Sequence, residues 1–148
     1  MGIFISNYEN KLDAKGRISV PALFREALKN EDFNGIIAYQ SFINPCIEAC
    51  GMERIEKLAN SIDSLDPYAD ERDAFATSIL GGSKQIAIDN DGRIILPEEL
   101  ISFAGLKDKA IFVGKGFTFE IWNPEKFEKY FNNSREIAKV NRGKLRLG

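Results

Sequence analysis

The chain contains no histidine, and that absence is the most restrictive feature of its composition. Histidine is the usual general base beside a Ser or Cys nucleophile and the commonest ligand of catalytic metals, so most hydrolase and metalloenzyme schemes lose their central group. Cysteine is nearly as scarce. Cys46 and Cys50, in CIEAC, are the only two, and with no histidine to join them they cannot complete a four-ligand zinc site of Cys and His. Two reduced, structural thiols are the expected state. No run of 18 apolar residues occurs, which excludes a hydrophobic membrane-spanning helix. The N-terminal MGIFISNYENKLD lacks a basic region followed by an apolar stretch and a small-residue cleavage site, so it does not read as a secretory signal, and a cytoplasmic location is expected. Strong charge of one sign is also missing. A net charge of −2 rules against a protein that coats nucleic acid through its overall field, so any nucleic-acid binding must come from a local patch.

What is present is an internal repeat. DAKGRISVP, from Asp13 to Pro21, recurs as DNDGRIILP, from Asp89 to Pro97, both written D-x-x-G-R-I-x-apolar-P. Each copy has a local physical reading. The aspartate side chain can cap a turn, and the glycine three residues later can take positive φ without a steric penalty, which makes a tight turn. Short apolar or β-branched stretches flank both turns, at 10–12 and 17–20 in the first copy and at 85–88 and 93–96 in the second, predicting strand, turn, strand. Pro21 and Pro97 end the second strand and suit the first position of a helix, predicted at 22–29 and at 98–104, the latter stopped by Gly105.

Further strands are predicted at 35–39, 110–113 and 117–122. Met52, Ile55, Leu58 and Ile62 fall at helical spacing, and residues 67–80 read as another helix before Gly81-Gly82. A last helix is predicted at 124–138, with Phe127, Phe131 and Ile137 roughly on one face. The chain divides into a first unit at 1–60, a linking helical segment at 61–82, a second unit at 83–138 and a basic, frayed tail at 139–148. Two β-rich units too small to bury their own faces should combine into one α+β domain, a pseudo-twofold β-barrel with helices outside.

The paired Asp-x-x-Gly-Arg turns, together with FEIW at 119–122 after the second, resemble the MraZ family of the AbrB-like swapped-hairpin superfamily over nearly the whole chain. The family's Asp-x-x-x-Arg signature falls on Asp13 and Arg17 and on Asp89 and Arg93. The resemblance implies a sequence-specific DNA-binding regulator, expected to be a repressor, that binds double-stranded DNA at direct repeats in the promoter of a division and cell-wall gene cluster. It implies a ring-shaped homo-oligomer, a nucleoid-associated protein, no cofactor and no catalysis. The segment from Asp66 to Leu80 departs from the family pattern, being acidic where relatives carry more arginine, which argues against DNA contact there.

Arginine at a turn can donate bidentately to guanine or to a phosphate, and a β-ribbon fits the major groove. Around the first turn, residues 11–29 hold five basic side chains (Lys11, Lys15, Arg17, Arg25, Lys29) against two acidic ones. Around the second, 87–105 hold Arg93 against four acidic ones. DNA contact is therefore expected from the first copy, led by Arg17, with Lys15 on a phosphate and Arg25 as a weaker candidate. Arg93 has an equally good role in its own turn, paired with Asp89 or Asp91. So small a patch neutralises few phosphates, and several copies on one ring would compensate through avidity. Phe117, Phe119 and Trp122 could serve that assembly or simply the core.

Three other signals are weaker. Asp89-Asn-Asp-Gly92 imitates a calcium loop, but its flanks read as strand. Gly114-Lys-Gly116 lacks the spacing and helix of a phosphate loop, and Glu48, Asp63 and Asp70 are not fixed in one cleft by anything in the sequence. The competing functions are a ring-forming protein-interaction module without sequence-specific DNA binding, and a smaller AbrB-like antitoxin, which the duplicated motif disfavours.

Overall fold

The computed structural model describes residues 2–147; Gly148, the last residue of the expected tail, lies outside them. It is a mixed α+β structure in which an antiparallel sheet of six strands carries helices on both faces. In chain order the elements are β1 (Asn7–Lys11), β2 (Arg17–Ser19), α1 (Ala22–Leu28), β3 (Gly35–Gln40), β4 (Ile47–Cys50), α2 (Met52–Asp63) and α3 (Asp70–Phe75). A π-helical turn (Ala76–Leu80) leads to β5 (Lys84–Ala87), β6 (Arg93–Ile95), α4 (Glu98–Ala104), β7 (Lys109–Gly114), β8 (Phe119–Trp122) and α5 (Pro124–Asn141), with a 3-10 turn at Arg142–Lys144. Among the described residues no helix is long and apolar enough to cross a membrane.

The strand order β1-β7-β8-β4-β3-β5 interleaves the two copies, with the β7-β8 pair inserted between β1 and β4 and the β4-β3 pair between β8 and β5, and β2 and β6 form a separate two-stranded ribbon. The turns at 13–17 and 89–93 form as the sequence predicts, but the strands flanking each turn do not run on together as a hairpin. Within the first copy they meet at a single bridge, Leu12 with Ile18. Beyond it β1 joins β7, β5 joins β3, and β2 pairs with β6, every partner coming from the other copy. Burial decides this exchange. A three-residue strand has one inward residue, and pairing Ile18 with Ile94 buries both to 1% exposure, in a cluster that also holds Phe24, Leu100, Ile47, Phe112, Phe119 and Ile121.

The registers obey a twofold relation. Ile18 faces Ile94, its own counterpart in the repeat, and Glu48 faces Glu120 in β4 and β8, so a pseudo-dyad passes through the ribbon and through the middle of the sheet. One face of the sheet, with the ribbon, α1 and α4, encloses the main core. On the other face α2 covers Ile37, Tyr39 and Cys50, while α5 covers Val113, Trp122 and Cys46. The two thiols are free and lie in different clusters, and burial pushes both up, Cys50 to about 12, so they stay protonated.

Several boundaries differ from the sequence reading. The helix expected at 67–80 begins at Asp70, because the Asp66 carboxylate accepts the Tyr68 amide and its carbonyl accepts the Ala69 amide, which makes a turn of 66–69. It ends in a π turn closed by the Gly81 amide on the Ala76 carbonyl. α5 runs three residues beyond Ala138, started by the Asn123 side chain, which accepts the amides of Glu125 and Lys126 ahead of Pro124. On that helix Phe127 alone of the three expected apolar positions is buried; Phe131 and Ile137 are exposed. Phe119 and Trp122 belong to the core, whereas Phe117 is exposed.

The facing of the ribbon is directly testable. Ile18→Ala removes a buried side chain at the pseudo-dyad and should cost about 2–5 kcal/mol in urea unfolding. Ser19→Ala, on the outward side of the same strand, should stay within about 0.5 kcal/mol. Comparable losses from both would contradict the inward pairing of Ile18 with Ile94.

Candidate nucleic-acid interface

Each turn is built by one aspartate. Asp13 Oδ1 accepts the amides of Lys15 and Arg17, both at 2.9 Å, and Asp89 Oδ1 accepts those of Asp91 and Arg93 at the same distances. The backbone closes each turn in the same way, the amide of Gly16 or Gly92 donating to the aspartate carbonyl. Both glycines have positive φ, +82° and +78°. The ribbon then uses them a second time, since the Gly16 carbonyl accepts the Leu96 amide and the Gly92 carbonyl accepts the Val20 amide. A Cβ on Gly16 would stand 2.8 Å from the Leu96 carbonyl oxygen, so both the turn and the inter-copy pairing demand glycine there.

The two arginines are held differently. In the first copy Arg17 Nε donates to Asp13 Oδ2 at 2.7 Å, so both oxygens of one carboxylate serve the turn, one taking amides and the other the guanidinium. In the second copy Arg93 Nε lies 3.9 Å from Asp89 Oδ2, beyond hydrogen-bond reach, and its terminal amino group donates instead to Asp91 Oδ2 at 3.0 Å. Asp91 occupies the position of Lys15, and that exchange redirects the arginine. Among the described residues, both terminal amino groups of Arg17 are without hydrogen-bond partners, whereas Arg93 has committed one of its two to Asp91 and leaves Nε unpaired. The pairing expected of Arg93 within its own turn is therefore present.

The amide hydrogen bonds, with the Arg17 guanidinium adding to them in the first copy, hold the carboxyls of Asp13 and Asp89 below the usual aspartate range.

The ribbon brings the two tips onto one surface. Alternate residues of a strand face opposite ways, so with Ile18 and Ile94 inward, Arg17, Ser19, Arg93 and Ile95 share the outward face. Arg17 stands opposite Ile95 and Arg93 opposite Ser19, which makes the arginines diagonal neighbours about 7–8 Å apart. Arg25 crosses between copies: its Nε donates to the Val20 carbonyl, and its guanidinium lies over Gly92, where a Cβ would meet it at 2.9 Å. Charge counted along the sequence therefore does not describe two separate faces. Arg25, counted with the first turn, lies at the second, while Glu99, counted with the second, pairs with Lys84. Lys15 projects from the first tip into solvent. Sequence reasoning missed Ile95 and Ser19 as members of this face, because the face exists only once β2 and β6 are paired.

Fold and site together define a duplicated strand, turn, strand, helix protein whose two Asp-x-x-Gly-Arg turns meet on one ribbon. Residues 3–44 and 79–147 match the model of the family described as "MraZ protein". The chain is 53% identical over 146 residues to the transcriptional regulator MraZ of Rickettsia rickettsii (strain Sheila Smith), 52% to that of Rickettsia canadensis (strain McKiel) and 51% to that of Rickettsia typhi (strain ATCC VR-144 / Wilmington). Each alignment covers 99% of this chain and 98% of the relative. The chain belongs to the MraZ family.

The lowered carboxyls give a pH prediction. A carboxylate whose folded pKa is depressed contributes stability above its unfolded pKa, and that contribution is lost as pH falls through the folded value. Carboxyl carbon NMR titrations of Asp13 and Asp89 should both show midpoints below the ordinary aspartate value. Arg17→Gln should raise the Asp13 midpoint by more than Arg93→Gln raises that of Asp89, since Arg17 hydrogen-bonds the titrating carboxylate of its turn whereas Arg93 bonds Asp91 instead. Equal shifts would show that the two arginines are held alike.

Proposed function

We propose that the protein is a sequence-specific DNA-binding transcriptional regulator whose reading element is the β2–β6 ribbon. The observation that carries this reading is the outward ribbon face, where Arg17 presents two unpaired terminal amino groups from the strand position diagonal to Arg93. A two-stranded ribbon fits the major groove, and a guanidinium held by its Nε keeps the pair of donors that match guanine O6 and N7. Arg17 is the leading base contact. Lys15, at the exposed tip, takes a backbone phosphate, and Arg25 beside Gly92 takes a second. Asp13 and Asp89 act by positioning the turns, and Arg93, partly engaged by Asp91, contributes less than Arg17. The transcriptional regulators named among the relatives support the same role.

The finer features follow from this reading. The ribbon caps the six-stranded sheet as the closing side of a pseudo-twofold barrel, so that residues 1–60 and 83–138 work as one domain joined through 61–82. Three or four cations per ribbon give weak binding with a shallow salt dependence, roughly −0.9 in log–log slope per phosphate neutralised. A ring of protomers at repeated promoter elements would raise avidity by roughly 10² to 10⁴, and repression follows where such an assembly covers a promoter in the nucleoid. Exposed Phe42, Ile43, Tyr68 and Phe117 supply apolar area for contacts between protomers.

The test is binding to the DNA upstream of the protein's own coding sequence at two salt concentrations. Wild type should bind with a clear salt dependence. Arg17→Ala should lose about 1–3 kcal/mol per ribbon with the oligomer intact, and Arg93→Ala should lose less. Absence of salt-dependent binding by wild type would sink the regulator reading and leave a protein-interaction role.

A further inference from the structure

The outward ribbon face carries one residue that the turns, the charges and the core leave unexplained. Ile95 is 61% exposed, although Ile94 beside it is 1% exposed. Its counterpart in the first copy is Ser19, so the fold does not require an apolar side chain at this ribbon position. Ile95 therefore stands opposite Arg17, with Cβ atoms about 4.5–5.5 Å apart, while Ser19 stands opposite Arg93. Stacked bases along one strand lie about 3.4 Å apart. A ribbon that places the Arg17 guanidinium on one base consequently places Ile95 against the next base pair or the one after. In the major groove the apolar feature that a base pair offers is the C5 methyl of thymine.

We propose that Ile95 reads a thymine methyl beside the base held by Arg17, and that the Ile95–Ser19 difference gives the pseudo-symmetric ribbon a single orientation on DNA. The proposal rests on the DNA-binding reading above and goes further by naming what the site recognises. A ribbon with identical halves would accept a site in either direction. Here one half offers a guanidinium with two unpaired amino groups next to an exposed sec-butyl chain, and the other offers a guanidinium tied to Asp91 next to a hydroxyl. The two halves ask for different base steps, so each recognised element is asymmetric.

The experiment uses the full-length protein and the upstream DNA fragment in two forms, with thymidine or with deoxyuridine throughout, since deoxyuridine keeps the pairing edge and lacks the methyl. Wild type should bind the thymidine form at least about fourfold more tightly, the fold-change for one buried methyl-sized group. Ile95→Ser, at an exposed position where the equivalent residue is already serine, should bind both forms equally while keeping the fold and oligomer, as judged by circular dichroism and sedimentation. Equal wild-type affinity for the two forms overturns the proposal and leaves DNA binding standing. An undiminished thymidine preference in Ile95→Ser also overturns it, because the methyl is then sensed elsewhere or through DNA shape. Failure of wild type to bind either form removes both the proposal and the reading on which it rests.

Discussion

The pairing of Ile18 with Ile94 across the pseudo-dyad is the contact on which the rest of the molecule depends. Each β-unit has one short strand, with one inward isoleucine, too small to cover itself. Joining the two strands buries both isoleucines, places each turn glycine under the amide of the other copy, and fixes which side of the ribbon faces water. The exchange of β1 and β5 to opposite copies is the same constraint at the sheet. A chain that leaves its own hairpin to complete the ribbon must find its other strand a partner, and β7 and β3 provide it. The interface chemistry is therefore inseparable from the core: the arginines face outward together because the isoleucines face inward together.

Within that symmetric backbone the side chains are not symmetric, and the difference starts from a single position in the turn. Lys15 leaves the first aspartate free to use one oxygen for amides and the other for Arg17. Asp91, in the same place, competes for Arg93 and draws it away from Asp89. The backbone hydrogen bonds of the turns are the same in both copies, so the turn itself does not depend on where its arginine goes. Stability resides in the amides, Oδ1 and the glycine, and the guanidinium is left to act as a variable element on a fixed mount. The exposed pairs add little to stability in any case, because solvent screens them.

Much of this was legible in the sequence where the cause is local. The turns follow from an aspartate that caps its own amides and a glycine free to take positive φ, and helix α4 follows from Pro97 and the left-handed Gly105 at its end. What the sequence did not disclose is non-local. Nothing near Ile18 says that its partner is Ile94 and not Leu12, and nothing near Arg25 says that it will lie over Gly92. β1, whose NYENK is polar and alternates between exposed and half-buried, is longer than its apolar signal. β4 passed unseen because its four residues after Pro45 and Cys46, three buried and Glu48 half-buried, show no apolar–polar alternation. The segment at 66–80 misled for a local reason, as Pro67 suits both a helix start and the turn that the Asp66 side chain closes.

The charge balance shows why counting along the chain is a poor guide to an interface of this kind. Summed by segment, the first copy is basic and the second acidic. In space Arg25 has moved to the second tip, Glu99 has been taken by Lys84, and both turn arginines stand on one face. The acidic groups that remain on that face, Asp13, Asp89 and Asp91, are each engaged with turn amides or an arginine. Their carboxylates orient cations and do not lie bare toward an approaching polyanion. An acidic protein can therefore present a locally cationic ribbon, provided that its carboxylates are spent on building the turns that carry the arginines. Attraction of a polyanion by the overall field stays low, because Asp and Glu outnumber Lys and Arg by 22 to 20. In the DNA-binding role proposed above, discrimination comes from contacts to base edges, made by the two arginines and the exposed isoleucine of the ribbon.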